Sequence, residues 1–237
     1  MVNIFQKILD TYIINFHNKR IIKAISLTEY QTVLDIGSHK AEFFRTLLRQ
    51  NLDVKKYISF EPIKKLYQNL FNEFESNLQF EVLNIGLSSV KGFKNINVNI
   101  FSSTSTFSEI NTSNFKYKLK NLLAYFSIFD HKESESESVE VDLLDNLELE
   151  IRNYVDLVII DVEGHELEVL NGALNFFKKY NPKYIVIEIN KKDSYKNYNP
   201  EKVKNLIQNL GYKKIKTIRG PFYLFTDIIF SLENKSN

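Results

Sequence analysis

From residue 32 onward, short apolar runs alternate with stretches whose apolar residues recur every three to four positions. The runs fall at Thr32–Ile36, Tyr57–Phe60, Phe80–Leu83, Val155–Ile160 and Tyr184–Ile189, each without internal polar alternation. Runs of that kind suit strands covered on both faces. Between them, Glu42–Gln50, Lys64–Phe74 and Glu166–Lys179 carry helical periodicity. In the last, Leu167, Leu170, Leu174 and Phe177 form one stripe, Lys178 and Lys179 suit the negative end of the dipole, and Asn181-Pro182 ends it. Strands alternating with helices predict βαβ units and a doubly wound, mostly parallel α/β sheet.

Three segments depart from this alternation. Residues 3–25 place Ile4, Phe5, Ile8, Leu9, Tyr12, Ile13 and Phe16 on one helical face. They predict an N-terminal amphipathic helix (residues 1–30) packed on the main domain (31–237), with contact to a membrane surface or a second copy as its functional alternative. Residues 101–138 read as a cap: a Ser/Thr-rich stretch, a helix over Phe115–Phe129, and the polar run HKESESESVE as a solvated linker. Asn95–Ile100 alternates strictly and predicts a half-exposed strand. Gly211–Ile218 and Phe222–Phe230 flank Arg219-Gly220-Pro221 as an antiparallel hairpin at the sheet edge.

Composition narrows the chemistry. The 237 residues suffice for one α/β domain with a full core. With no cysteine, disulfides, thiolate catalysis and cysteine zinc sites are excluded. Four scattered histidines make no HxxxH pair, and no metal is expected. A net charge of +2, from 31 basic and 29 acidic residues, provides no general field for nucleic acid, so any basic patch is local. No stretch reaches the ~20 apolar residues that span a bilayer. The N-terminus is interrupted by Lys7 and Asp10 and lacks a cleavage signal, so a cytoplasmic location is expected.

Three constellations carry chemistry. In VLDIGSHKAEF, residues 33–43, a buried strand ends at Asp35 and Gly37 before a short loop opens a helix, the place where doubly wound folds bind ligands. In YISFEP, residues 57–62, Glu61 ends the next strand 26 residues after Asp35, where a carboxylate accepts ribose hydroxyls. Pro62 alternatively marks a plain helix start. The pair fits a dinucleotide or S-adenosylmethionine. The glycine positions of GxGxxG hold Gly37, His39 and Glu42, and a pyrophosphate would be repelled by Asp35 and Glu42, whereas a sulfonium would not. In VIIDVEGHE, residues 158–166, Asp161 terminates a third buried strand, with Glu163, His165 and Glu166 at a helix start. Helix capping alone accounts for acids at the latter positions.

The order DIGSHKAEF, FEP, NIGLSS, VEVDLLDNL, IDVEGHELEVLNGA and a strand ending in Glu resembles the FkbM family of methyltransferases, over roughly residues 32–230. The resemblance implies a Rossmann-like, seven-stranded class I S-adenosylmethionine-dependent fold and O-methylation of polyketides, sugars or related metabolites. It implies that Asp35, Gly37, Ser38 and His39 surround the methionine part of S-adenosylmethionine. Glu61 with Pro62 would meet the ribose, Asn84, Ile85 and Gly86 the adenine edge, and Asp161 the methyl-transfer centre. Ser102–Thr106 resembles a small-hydroxyl stretch near the cleft of relatives. Asp161 is the first candidate base and His165 the second. Ala41 stands where the family usually has a second loop glycine. It is expected to be helical, because the sequence from Glu42 onward has helical character. The expected acceptor is a hydroxylated small molecule, a sugar or glycan first. The alternatives are a cofactor-binding protein without activity and an NAD-dependent oxidoreductase.

Overall fold

The computed structural model describes residues 11–12, 16–98, 106–108, 135–190, 192, 194–220 and 226–233. Seven strands form the main sheet: β1 (Glu29–Ile36), β2 (Asp53–Phe60), β3 (Phe80–Leu83), β7 (Leu157–Ile160), β8 (Tyr184–Glu188), β9 (Tyr212–Arg219) and β10 (Thr226–Leu232), in the order β3-β2-β1-β7-β8-β10-β9. β10 alone runs against its neighbours β8 and β9; the other pairings are parallel. The chain reverses direction across the sheet between β1 and β7, the switch point at which such folds open a ligand crevice.

Helices cover both faces. α1 (Asn18–Ile25), α2 (Glu42–Arg49) and α3 (Lys64–Phe74) precede α4 (Glu166–Asn171), α5 (Leu174–Tyr180) and α6 (Pro200–Asn209). One core sets Val33, Tyr57, Leu157 and Ile229 against Ile21, Ile22 and Ile25 of α1 and Phe43, Phe44 and Leu47 of α2. The other sets Leu34, Ile58, Val158 and Ile187 against Val169 and Leu170 of α4, Phe177 of α5 and Ile207 of α6. Val33 faces one core and Leu34 and Ile36 the other, which is why the end of β1 has no polar alternation. Most of the predicted N-terminal stripe, residues 3–10 and 13–15, lies outside the described residues; α1 packs through Ile21, Ile22 and Ile25 instead, and Phe16 of the predicted stripe is exposed.

A second sheet of β4 (Gly86–Leu87), β5 (Gly92–Val98) and β6 (Glu135–Asp142) stands apart, in the order β4-β6-β5. Two expectations change here. The Asn95–Ile100 strand belongs to this small sheet, and the supposed linker ends as strand β6, paired with β5 from Glu135↔Val98 to Val141↔Gly92. Val139, Val141 and Ile96 bury one face with Ile63, while Ser136, Ser138 and Glu140 face out. Ser136, Ser138 and Glu140 are the solvent side of a two-faced strand, and Glu137 on the valine side accepts from Lys64 N at 3.2 Å. The proposed cap helix over Phe115–Phe129 lies outside the described residues.

The predicted helix Glu166–Lys179 is two helices. It breaks at Gly172, where a Cβ would stand 2.0 Å from the Ser88 carbonyl oxygen, so the chain after β4 packs directly on the backbone. Asp145 then caps the restart, accepting from Asn175 N at 3.0 Å and Phe176 N at 2.7 Å.

Candidate active site

Strand register builds the site. Ile36 is level with Phe60 and Ile160, Phe60 with Leu83, and Ile160 with Ile187. The next residue of each strand therefore falls in one row across the sheet: Asn84, Glu61, Gly37, Asp161 and Glu188, continued by Asp227, which pairs with Glu188. Sequence segments more than a hundred residues apart meet here at the carboxyl ends of the parallel strands.

The first loop wraps the switch point. Gly37 and Ser38 donate to the Phe60 carbonyl at 3.1 and 3.2 Å, and Asp161 N donates to Ile36 O at 3.0 Å. Ser59 Oγ donates to Ser38 Oγ at 2.5 Å. Gly37 has φ +84, and an added Cβ would lie 2.0 Å from the Asp161 carbonyl oxygen, so only glycine fits. Ala41 is a correction. It is left-handed (φ 53, ψ 44), not helical, and is completely buried at the start of α2. Its N–H donates to Ser38 O at 2.7 Å, which closes the loop. His39 (φ 51) and Glu163 (φ 48) share this conformation. Non-glycine residues held left-handed gather where ligand geometry overrides local preference.

Asp35 lies beneath the loop, buried, and accepts from the Tyr57 hydroxyl at 2.5 Å. Burial pushes its pKa up to about 7; Tyr57 opposes this and Glu42 adds to it. Glu61 is also buried. Its two oxygens accept from His39 N and Ile63 N, each at 2.9 Å, and burial raises it to about 7 against those bonds. Asn84 Nδ2 donates to the carbonyls of Glu61 and Pro62 at 2.9 Å, which joins the second and third strand ends. Ile85 packs on the core, and Gly86 opens β4 beside Phe107. His39 Nδ1 lies 2.9 Å from Glu42 Oε1. Burial works against the charged imidazole, but Glu42 outweighs it and raises the pKa of His39.

The third motif holds the acids. Asp161 is exposed to solvent, whereas Glu163 and Glu166 are buried. Oxygens of Asp161, Glu163 and Glu188 lie within 4.8 Å of one another. The sequence reading placed only two of these acids in the motif; the register of β8 adds Glu188. Dense surroundings first, and then Glu163, Asp227, Glu166 and Asp35, hold the Asp161 carboxyl well above the usual carboxylate range. Burial lifts Glu166 to about 8. Tyr195 donates its hydroxyl to Glu163, and Asn190 Nδ2 to Glu188 Oε1 at 3.2 Å. Nothing in the local sequence announced Tyr195, since its role depends on a fold-back of 32 residues.

The fourth group surrounds His165. Its Nε2 lies 3.0 Å from Ser88 Oγ and 3.5 Å from Lys94 Nζ, and its ring packs on Phe107 at 5.0 Å. Burial and then Lys94 lower its pKa to about 3. The residue joins the main domain to the small sheet. Next to it, Thr106 and Ser108 bond the carbonyls of Glu163 (2.5 Å) and Gly164 (2.9 Å), so the small-hydroxyl stretch reaches the Asp161 loop through Thr106. Residues 102–105 lie outside the described residues.

A seven-stranded sheet in this order, with an acid row at its switch point, defines the class I methyltransferase fold. Residues 35–214 match the Methyltransferase FkbM domain, and the chain belongs to that family. The cofactor of the class is S-adenosylmethionine, and the site suits it: the sulfonium and ammonium are cations, and the row presents carboxylates. Family membership removes the oxidoreductase alternative. A crystal structure of methyltransferase FkbM from Methylobacillus flagellatus is similar, with TM-score 0.53 at 11% identity over 85% of this chain; the chain spans 43% of that one. An S-adenosylmethionine-dependent methyltransferase from Aquifex aeolicus aligns over 98% of both chains, at 15% identity and TM-score 0.48. None of the curated proteins matches the chain.

Proposed function

We propose that the protein transfers a methyl group from S-adenosylmethionine to a hydroxyl oxygen of a small molecule, a sugar or glycan first. The observation that carries this reading is the row Asn84–Glu61–Gly37–Asp161–Glu188, which sets a ribose-type carboxylate and an exposed acid on either side of the switch point. The sulfonium supplies an activated methyl group, so the protein's task is alignment, exclusion of water and removal of one proton.

Glu61 keeps a free lone pair on each oxygen beyond its two backbone bonds and meets the ribose hydroxyls. The loop of Gly37, Ser38 and His39 lines the methionine part, Pro62 stands with Glu61 at the ribose, and Asn84, Ile85 and Gly86 line the adenine edge. Asp161 takes the hydroxyl proton as the acceptor oxygen bonds to the methyl carbon and the carbon–sulfur bond breaks. A raised pKa makes it a stronger base than an ordinary aspartate, and a nearby cation restores its ionised form. Burial and then Glu163 and Asp227 sustain that pKa, and no metal is assigned. The sugar preference rests on the family.

The test is transfer of label from S-adenosylmethionine to a panel of hydroxylated sugars, with and without chelator. Asp161→Asn is expected to lower turnover by roughly 10²–10⁴-fold while cofactor affinity changes little. Equal turnover would remove Asp161 as the base. Cofactor binding with no transfer to any acceptor would instead favour the inactive binding protein.

A further inference from the structure

α1 and the edge strand β9 share one side of the molecule. α1 packs on the sheet through Ile21, Ile22 and Ile25, in the same core as Ile229 and Ile218, and Arg20 Nη1 donates to the Arg219 carbonyl at 3.0 Å. The outward stripe of this helical segment is Phe16, Lys19, Arg20 and Lys23, at i, i+3, i+4 and i+7. From β9, Lys213 and Lys216 pair with Ser231 and Ile229 and so lie on the α1 side, and Ile215 sits exposed at the bulge between them.

The charge here is one-sided. The 16 residues of α1 and β9 contain seven basic side chains and no acidic one. Lys214 and Arg219 pair with Phe230 and Thr226 and lie on the opposite side of the sheet, which leaves five of the seven on the α1 side. Without those five, the chain carries 26 basic against 29 acidic residues. Among the described residues, Lys19, Lys23, Lys213 and Lys216 form no ion pair with a carboxylate. Two apolar side chains stand among the cations: Phe16 is 60% exposed and Ile215 45%.

We infer that this face docks the protein on an anionic lipid bilayer, with Lys19, Lys23, Lys213 and Lys216 over the headgroups and Phe16 and Ile215 entering the interface. Lysines on an edge strand also deter sheet-to-sheet aggregation. That function does not call for a matching basic stripe on the packed helix, or for an aromatic ring left in water beside it. A basic stripe with apolar members is the composition of an interfacial surface, whose affinity adds charge attraction to apolar burial. Phe16 and Ile215, exposed among the cations, call for apolar burial, which a bilayer offers and a nucleic-acid backbone does not, so a bilayer fits better than nucleic acid. One end of this face reaches the acid row: Phe16 is next to His17, which joins Asp227 at 2.5 Å.

The test is flotation of the full chain with phosphatidylcholine vesicles and with vesicles in which about one third of the lipid is phosphatidylglycerol. Binding to the anionic vesicles alone is expected, and it should be lost near ~0.5 M salt, where screening shortens to a few ångströms. Lys19→Glu with Lys23→Glu should weaken binding at least ~tenfold, since each basic residue near an anionic surface contributes roughly fivefold. Phe16→Ser, which leaves the charge unchanged, should weaken it several-fold. Circular dichroism checks that the variants fold. If one does not, lipid preference and salt response of the unaltered chain still decide. Equal binding to neutral vesicles, no binding to either, or unchanged binding by the folded charge-reversed variant overturns the proposal. So does tighter binding to an RNA duplex than to the anionic vesicles.

Discussion

Gly37 rests against the carbonyl of Asp161, so close that a Cβ at position 37 would stand 2.0 Å from that oxygen. The cofactor loop and the proposed base are thus a single packed unit. Gly37→Ala must move the Asp161 backbone and also strains a residue at φ +84. A loss of about 3 kcal/mol or more is expected in urea unfolding, from overpacking and strain together. Cofactor binding should weaken with it.

Asp35 depends on Tyr57. The two side chains are buried 2.5 Å apart, and the ring also packs against Phe44 at 4.7 Å. Tyr57→Phe keeps the ring but leaves Asp35 without the hydroxyl, at a cost of about 1–3 kcal/mol. Chemical denaturation measures it. A fall in stability smaller than the error would mean that another group satisfies Asp35.

The acids give the ligand-free protein a defined pH response. Asp35 and Glu61 rise to about 7 and Glu166 to about 8 from ordinary values of 3.8 and 4.5. The folded state holds these protons more tightly than the unfolded chain, so their contribution is fully present below the ordinary values. It is lost as pH rises through the folded pKa values. Melting temperature should decline from about pH 5 to about pH 8. A cation in the cleft favours the ionised acids, so S-adenosylmethionine should bind with proton release, read from heats in buffers of different ionisation enthalpy.

His165 and Asp161 separate in their consequences. His165 holds Ser88 and Phe107 in the seam with the small sheet. His165→Phe should lower stability by about 1–3 kcal/mol, because Ser88 is left buried without its partner. It should leave the acid limb of any pH–rate profile where it was. A shift of that limb in the variant would restore His165 as a titrating participant.

The parallel strands were legible because burial on both faces writes continuous apolar runs, and Asp35, Glu61 and Asp161 because each ends one. Lys64–Phe74 matches its predicted bounds for a similar reason, a clean helical period after Pro62. The break at Gly172 was hidden, because the apolar stripe continues across it while the interruption comes from Ser88 in a distant segment. β6 was hidden by composition: its outward Ser and Glu outnumber the valines that bury it. Ala41 was misread because a left-handed residue just before a helix looks the same in sequence as the helix's first residue. Tyr195 enters the site by tertiary contact alone, and Glu188 and Ser88, though inside recognised segments, show their partners only in the fold.

The most direct measurement is calorimetric titration of the protein with S-adenosylmethionine and S-adenosylhomocysteine, repeated with Glu61→Ala. Both ligands are expected to bind, and loss of the ribose-facing carboxylate should weaken each by roughly tenfold or more, as for a charged hydrogen bond. A folded protein that gives no heat with either ligand, or a Glu61→Ala variant that binds both as tightly, would contradict a cofactor site on this row.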